Sequence, residues 1–238
     1  MKTAVVSGAG LRIGKDISIE LLKNGYHVIL CAHSSFKELQ GWVKNSPYAE
    51  QIIDLVKADL SAQKGQEELC LRVKNKLTSL DLLVNNASIF YPKSFLDISR
   101  KEYEEMQAIN LTAPFFITQS LLEVLKVNNG CVINILDALW DRPSINFSHY
   151  AITKAGLAIL TKSLAKELAP NVRVNAISPG AIMFQDFHTL EYREKTLAQI
   201  PQKRLGTGSE IAEAVLFLAQ KGQYITGQLL AVDGGRSI

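Results

Sequence analysis

Short apolar runs alternate along this chain with longer segments in which apolar residues recur at helical spacing. Two such segments are Ile13–Asn24, which ends at Gly25, and Tyr150–Leu168, which ends before Pro170. Strands that are apolar on both faces and alternate with helices form parallel sheets covered on each side. Since the chain has no linker, repeat or low-complexity tract, the pattern predicts one doubly wound (Rossmann) α/β domain over residues 1–238. The predicted strands, about seven, are Thr3–Ser7, His27–Cys31, Ile52–Lys57, Leu82–Asn85, Cys131–Leu136, Arg173–Ile177 and Leu229–Val232.

The composition is that of an ordinary globular protein and argues against several classes. Of 238 residues, 47% are hydrophobic and 21% charged, and the net charge of +3 comes without a Lys/Arg block, so a nucleic-acid partner is not expected. No run approaches the ~20 apolar residues of a membrane span, and the first strand begins too early for a signal peptide. Cys31, Cys70 and Cys131 lack CxxC spacing and are expected to be buried free thiols. We therefore expect a cytoplasmic protein without a membrane partner.

Ligands of such folds bind outside the carboxyl ends of the strands, and a glycine-rich turn follows the first one. The turn reads "SGAGLRIG" from Ser7 to Gly14 and leads into a helix. Gly8, Gly10 and Gly14 permit a tight turn and a close backbone approach, and the helix N-terminus offers free N–H groups to a pyrophosphate. The alternative is ordinary packing of a strand, a turn and a helix. The position of the glycine-rich turn directly after the first strand favours a dinucleotide site.

The end of the second strand discriminates between the two nicotinamide cofactors. An NAD site needs a carboxylate there to hold the ribose 2′-hydroxyl. This strand runs out as "CAHSS", and the first acid is Glu38, already inside the next helix. Ser34 and Ser35 can donate hydrogen bonds to a 2′-phosphate, and Arg12 adds positive charge. The alternative for Arg12 is a solvated residue at the start of the helix. The sequence therefore predicts NADPH as the cofactor.

One tyrosine has a lysine four residues later, in the stretch "HYAITKAG". Residues i and i+4 share a face of a helix, so Lys154 is expected beside the phenol of Tyr150. A cation there favours the phenolate and would lower the tyrosine pKa toward the working range. The alternative is an exposed helix pair without a function.

Further motifs surround this pair. With them the chain resembles the short-chain dehydrogenase/reductase family along essentially its whole length, in the family's order and spacing. The matching elements are the glycine-rich turn, "ADL" (Ala58–Leu60), "NNA" (Asn85–Ala87), Asn110, Tyr150 with Lys154, "SPG" (Ser178–Gly180) and the terminal "VDGG" (Val232–Gly235).

The resemblance implies a reaction and a role for individual residues. The reaction would be hydride transfer from a nicotinamide, with Tyr150 as acid or base. Lys154 would bind the ribose and tune Tyr150, and Asn110 would hold a water in the proton path. Asp59 would contact the adenine, and Asn86 would line the cofactor cleft. The full set expected to bind NADPH is Gly8, Arg12, Ile13, Gly14, His33, Ser34, Ser35, Asp59, Leu60, Asn86, Ala87, Ser88, Tyr150, Lys154, Pro179 and Gly180.

Three departures from the family's usual pattern resemble one branch of it. Arg12 stands where the family has glycine, Ser88 makes "NNAS" of the usual "NNAG", and Asp137 replaces the serine thirteen residues before the tyrosine. Together they resemble the pteridine reductases, including bacterial dihydromonapterin reductases. In that branch the aromatic residue matching Phe90 stacks a pterin against the nicotinamide. Some members carry arginine where Ser34 stands. The alternative for Phe90 is core packing.

The residue type at position 137 favours one chemistry over another. Asp137 ends an apolar run, where a carboxylate is costly to desolvate unless it is compensated. An ionised aspartate cannot donate a hydrogen bond to a ketone, whereas a carboxyl group beside Tyr150 can relay the proton that a pterin ring nitrogen needs. The alternative for Asp137 is a solvated residue that begins a loop. We therefore predict an NADPH-dependent pteridine reductase that converts dihydrobiopterin, dihydromonapterin or dihydrofolate to the tetrahydro form.

Two alternative functions stay open at this point. The first is a carbonyl or 3-oxoacyl-thioester reductase of the same family, and the second is a non-catalytic NADPH-binding sensor. A lid is expected over residues 181–201, and no metal site is expected. The resemblance also suggests a homotetramer built partly from two long apolar helices, Glu102–Leu125 and Tyr150–Leu168. The residues expected to bind substrate are Phe90, Asp137, Tyr150, Met183 and Phe184.

Overall fold

Seven parallel strands form one sheet in the computed structural model, which describes residues 1–142, 144–184 and 186–238. In chain order we number them β1 to β7, and their spatial order is β3-β2-β1-β4-β5-β6-β7. The order reverses at β1, which pairs with both β2 and β4, so a crevice opens at the carboxyl ends of β1 and β4. The strands are β1 Lys2–Ser7, β2 Tyr26–Ala32, β3 Ile52–Lys57, β4 Leu82–Asn85, β5 Cys131–Ile135, β6 Arg173–Pro179 and β7 Leu229–Val232.

The predicted fold class is confirmed, and each predicted strand lies in the sheet. Helices cover both faces because the strands bury both of their sides. Ala4 and Val6 of β1 point to one apolar cluster, and Val5 between them belongs to the other. The first cluster includes Ile17 and Val215 from two helices that pack against each other. All three cysteines are buried and unpaired.

Nine α-helices are found in the described part of the chain. None of the helices there is long and apolar enough to cross a membrane. They are α1 Arg12–Lys23, α2 Phe36–Lys44, α3 Gln63–Lys76, α4 Arg100–Gln107, α5 Ala113–Ser120, α6 Leu122–Val127, α7 Ser148–Glu167, α8 Leu190–Gln199 and α9 Gly208–Gln220.

The single helix predicted over Glu102–Leu125 is wrong, because the segment is divided. A π-helical turn, Ala108–Thr112, separates α4 from α5, and the α-helical pattern is interrupted again at Leu121. Pro114 explains the first break: it has no N–H to donate to the carbonyl of Asn110, four residues earlier. The wider turn places Asn110 against the end of β4.

Candidate active site

A continuous groove runs along the carboxyl ends of the strands. One part, of about 540 Å³, lies against the ends of β1, β2 and β3, and we call it the cofactor cleft. The other part, of about 340 Å³, lies at the ends of β5 and β6, and we call it the reaction cavity. Arg12, Ile13, Asn86 and Ser88 line both parts, so the two are contiguous. In open α/β sheets, elongated ligands bind in this crevice outside the carboxyl ends of the strands.

The groove brings together the residues expected to bind NADPH or substrate or to take part in catalysis, with Asn110 as the exception. The cofactor cleft is lined by Gly8, Arg12, Ile13, Gly14, His33, Ser34, Ser35, Asp59, Leu60, Asn86, Ala87 and Ser88. The reaction cavity is lined by Phe90, Asp137, Tyr150, Lys154, Pro179, Gly180, Met183 and Phe184.

The glycine-rich turn fits a phosphate cradle. Gly8 has φ +67°, and a Cβ added at Gly14 would overlap the carbonyl oxygen of Gly8. Asn86 Nδ2 holds the turn by donating to the carbonyls of Ser7 and Gly8, at 2.9 and 3.1 Å. Arg12 adopts φ +52° at the position where a glycine would be unstrained. The backbone therefore stays open to a pyrophosphate, with a cation beside it.

The adenosine end of the cofactor cleft fits a 2′-phosphate. Described residues at the end of β2 include no carboxylate, and His33, Ser34 and Ser35 line the cleft there. Asp59, at the end of β3, accepts hydrogen bonds from Ser61, which are the main reason why its pKa lies below the usual range. The Oδ2 atom of Asp59 lies 3.9 Å from Nε2 of His33, so this carboxylate faces the imidazole of His33.

At the other end of the groove, a tyrosine and an aspartate form the centre of the reaction cavity. The Tyr150 hydroxyl donates to Asp137 Oδ2 at 3.0 Å, and the backbone N–H of Leu139 donates to Oδ1 at 2.7 Å. Both carboxylate oxygens are therefore held. The carboxylate at the end of β5 is compensated by these two donors, as its partly buried position requires.

The predicted lowering of the Tyr150 pKa is wrong. Burial raises the pKa of Tyr150 well above its ordinary value, and the neighbouring Asp137 raises it further by its charge and by accepting the phenol's hydrogen bond. A phenolate beside a carboxylate is disfavoured, because two like charges would share one poorly hydrated site. Spacing on the helix suggested Lys154 as the dominant neighbour, but the residue that contacts the hydroxyl comes from β5. The phenol of Tyr150 is therefore neutral and donates its hydrogen bond to Asp137.

Lys154 is turned toward the sheet. Its Nζ donates to the carbonyl of Ile135 at 2.9 Å and lies 5.7 Å from the ring centre of Tyr150. Only 2% of the residue is exposed, and burial lowers its pKa to about 8, although Asp137 acts in the opposite direction. The lysine therefore joins α7 to the end of β5, and it loses its proton more readily than an exposed lysine does.

Asn110 lies behind the groove and lines neither part of it. Its Oδ1 accepts from the N–H of Ile89 at 2.9 Å, and its Nδ2 donates to the carbonyl of Ile89 and to Thr153 Oγ1. Thr153 Oγ1 in turn donates to the carbonyl of Tyr150 at 2.7 Å. Asn110 thus connects the segment after β4 to α7, and its role toward a water stays a prediction.

An aromatic wall borders the reaction cavity. The rings of Phe90 and Phe147 are stacked, with centres 4.7 Å apart and planes 9° apart. Tyr150 meets Phe90 edge to face at 4.8 Å, and Phe187 approaches it at 6.1 Å. Phe147 was not among the predicted site residues, although the sequence places it three positions before Tyr150. One face of Phe90 is therefore already covered by the protein.

Several lining residues of the reaction cavity were missed by the sequence argument. Ile182 and Tyr192 come from the segment predicted as a lid, of which position 185 lies outside the described residues. Asp16 comes from the first turns of α1, and Arg236 follows the "VDGG" motif. The helical spacing of Asp16 behind Arg12 is a signal that was available. Nothing in the sequence pattern alone indicates that the last turn of the chain reaches the cavity.

Comparison with known proteins shows similarity over nearly the full length. A family model described as "Enoyl-(Acyl carrier protein) reductase" matches residues 8–237. The 3-oxoacyl-[acyl-carrier-protein] reductase FabG of Buchnera aphidicola subsp. Schizaphis graminum is 36% identical over 98% of this chain and 96% of its own length. The protein of the same name from Aquifex aeolicus (strain VF5) is 35% identical over 98% and 96%. That of Staphylococcus epidermidis (strain ATCC 12228 / FDA PCI 1200) is 32% identical over 98% of both chains.

These relatives contradict the predicted pteridine reductase. They are named as reductases of 3-oxoacyl groups, which matches the first alternative. Arg12, Ser88 and Asp137 are three local departures, and they carried the prediction of the pterin branch. The similarity to 3-oxoacyl reductases along nearly the whole chain is stronger evidence for the substrate class than these three positions. The relatives are enzymes by name, which also goes against a non-catalytic sensor.

The groove contains the glycine-rich turn and the Tyr150–Lys154 pair, two of the motifs by which the sequence resembles the family. The match of the family model spans residues 8–237, and relatives above 30% identity cover almost the whole chain. The chain therefore belongs to the short-chain dehydrogenase/reductase family and is an NADPH-dependent oxidoreductase.

Proposed function

We propose that this enzyme reduces the 3-keto group of a 3-oxoacyl thioester to the 3-hydroxyacyl product. The observation that carries the proposal is the position of the Tyr150 hydroxyl, an O–H donor in the wall of the reaction cavity beside Asp137. Reduction of a ketone needs a proton donor at the oxygen, and this group is one. The printed names of the full-length relatives supply the substrate class.

In the proposed reaction, Tyr150 and Lys154 have separate roles. NADPH, when bound, supplies a hydride to the carbonyl carbon. Tyr150 donates its proton to the carbonyl oxygen, which takes the place of Asp137 as the acceptor of the phenol's hydrogen bond. Lys154, whose Nζ donates to the carbonyl of Ile135 at 2.9 Å, is positively charged below its pKa of about 8. Its charge near the phenol stabilises the negative charge that develops there as the proton leaves.

Asp137 takes the position of the family's usual serine and needs an account of its own. Its Oδ2 lies 3.0 Å from the oxygen that loses the proton. A carboxylate that takes up a proton from solvent becomes both a donor and an acceptor, so Asp137 can pass that proton on to Tyr150 after Tyr150 has given its own to the substrate. A serine hydroxyl has the same two capacities. The objection that an aspartate cannot serve a ketone therefore holds only for its ionised form.

The shape of the reaction cavity suits an acyl group of modest length. Its volume is about 340 Å³, and Phe90, Met183 and Phe184 give it apolar walls. Burying an acyl chain against such walls is favourable by about 0.8 kcal/mol for each methylene. The substrate would enter as a thioester on an acyl carrier, the partner that the relatives' names indicate.

The proposed assembly is a homotetramer. The chain exposes large apolar side chains on helices flanking the site, including Phe115, Phe116, Ile152 and Ile159, which are 40%, 49%, 53% and 61% exposed. They lie on α5 and α7, and unpaired apolar faces of this kind favour association of chains. Size-exclusion chromatography with light scattering tests the assembly.

The proposed function is tested by following NADPH consumption with acetoacetyl thioester as the probe. We expect turnover of the thioester with a 3-hydroxyacyl product identified by mass spectrometry. A panel of dihydropterins and dihydrofolate serves as the comparison. Turnover of a dihydropterin without turnover of the thioester overturns the proposal.

A further inference from the structure

The last turn of the chain carries an arginine into the reaction cavity. Arg236 lines this cavity together with Tyr150 and Asp137. It also lines a smaller adjoining pocket of about 70 Å³ beside Phe90 and Phe147. No predicted or assigned role covers this residue.

The position of Arg236 is determined by the backbone that precedes it. Asp233 accepts hydrogen bonds from the N–H groups of Gly235 and Ser237, at 2.9 and 2.8 Å. Gly234 and Gly235 adopt φ +65° and +88°, a conformation that favours glycine. The turn before Arg236 is therefore closed on itself and is not a loose tail.

The turn also rests directly on the end of β6. A Cβ added at Gly180 would lie 2.6 Å from the Cα of Asp233, and the Gly180 N–H donates to the carbonyl of Val232 at 3.0 Å. Gly180 itself lines the reaction cavity. This close backbone approach brings the turn to the edge of the cavity that Arg236 lines together with Tyr150.

The guanidinium of Arg236 is available for a ligand. Among the described residues, none forms a hydrogen bond or ion pair with the Arg236 side chain, and its Nε is buried without a partner. Asp137 accepts from Tyr150 and Leu139 instead. Because Arg236 lines the cavity without an acceptor from the described part of the chain, an acceptor that enters the cavity gains a charge-assisted hydrogen bond with its guanidinium.

We propose that Arg236 is a specificity-determining residue that binds the second oxygen of the substrate, the thioester carbonyl oxygen at C1. This inference rests on the proposed function. In a 3-oxoacyl group one methylene separates the two carbonyls, so a ketone at Tyr150 places the other oxygen within the same cavity. Arg236 selects ketones that carry a second acceptor two carbons away and discriminates against simple ketones.

The test compares two ketones that differ only at C1. One is the acetoacetyl thioester of N-acetylcysteamine, and the other is its thioether analogue, in which C1 is a methylene. We expect the wild-type kcat/KM to favour the thioester by roughly 10–100-fold. Arg236→Met is expected to remove most of that preference, and Arg236→Lys, which keeps the charge but not the planar fork, to remove part of it. Arg100→Gln, at an exposed surface site, is the matched control and keeps the preference.

Each outcome bears on the inference. NADPH fluorescence and thermal unfolding show whether a variant is folded, and a wild-type preference near unity overturns the inference without any variant. Turnover of the thioester with the same preference in wild type and both variants overturns it while leaving the proposed function standing. Failure of the wild type to reduce either ketone overturns the proposed function and this inference together.

Discussion

The Tyr150 hydroxyl donates a 3.0 Å hydrogen bond to Asp137, at the position where the family usually has a serine. This contact joins the first turn of α7 to the segment directly after β5. It keeps the phenol protonated, because its ionisation would place two negative charges side by side. Under the proposed function, this phenol gives its proton to the substrate oxygen and its hydrogen bond to Asp137 breaks as it does so.

Substitutions at Asp137 test its part in the reaction. Asp137→Ala is expected to lower kcat for the thioester by roughly 10²–10⁴, the usual scale of acid–base assistance, because Tyr150 loses its partner. Asp137→Ser returns the family's hydroxyl and is expected to recover most of the loss. Steady-state kinetics with NADPH measure both, and Asp141→Ser, at an exposed position nearby, is the control. Equal rates for Asp137→Ala and wild type would remove Asp137 from the mechanism.

The buried Lys154 predicts a dependence of stability on pH. Its pKa is lowered from 10.5 to about 8 in the folded chain, so the unfolded chain binds more protons between these values. The contribution of Lys154 to the free energy of unfolding therefore rises as the pH rises through that window, and it is least favourable below about pH 8. Urea unfolding of wild type and Lys154→Met at about pH 7 and about pH 10 measures the difference.

The control for this experiment is Lys101→Met, at an exposed site on α4. Its stability relative to wild type should be the same at both pH values. If the free energy of unfolding of wild type, relative to that of Lys154→Met, does not rise from about pH 7 to about pH 10, the lowered pKa is contradicted.

Gly14 is a glycine of the phosphate turn that has no room for a side chain. A Cβ there overlaps the Gly8 carbonyl oxygen, so Gly14→Ala is expected to destabilise the protein by about 1–3 kcal/mol and to weaken NADPH binding. Gly41 is the matched control on α2, since a Cβ there meets nothing within 4 Å. Gly41→Ala should stabilise by about 0.5–1 kcal/mol. Fluorescence titration with NADPH checks the binding, and unchanged affinity of Gly14→Ala would refute the close approach.

Arg12 combines a strained backbone with a charge beside the cofactor cleft. Arg12→Gly relieves the φ of +52° and should raise the free energy of unfolding by about 1 kcal/mol. The same change is expected to raise the Kd for NADPH roughly tenfold and to leave the Kd for NADH nearly unchanged, because only NADPH carries the 2′-phosphate. Titrations with both cofactors at two salt concentrations measure this. A parallel loss for both cofactors would mean that Arg12 acts on the shared part of the dinucleotide.

The fold was predictable because its signals are local. Each strand is a short apolar run buried on both faces, and observed and predicted strands differ only at their ends, as in β6, which continues to Pro179. The glycine-rich turn and the Tyr150–Lys154 spacing likewise depend on neighbours in sequence. The break of the predicted helix at Pro114 was also readable, since proline removes a backbone donor.

The rest of the site depends on contacts between distant segments. The direction of the Tyr150 pKa is decided by Asp137 and by burial, and no helical spacing contains that information. Arg236 reaches the cavity only because the last turn packs on Gly180. The pterin substrate was inferred from three local departures, and the whole-length similarity to 3-oxoacyl reductases contradicts it.

The most direct test of the account is the rate of NADPH oxidation with acetoacetyl thioester, measured for wild type and for Tyr150→Phe. The phenylalanine variant keeps the ring against Phe90 and lacks only the hydroxyl that donates to Asp137. The account predicts turnover by the wild type and a loss of roughly 10²–10⁴ in kcat for the variant, with NADPH affinity retained. A wild type that does not reduce the thioester, or a variant that reduces it at the wild-type rate, would contradict it.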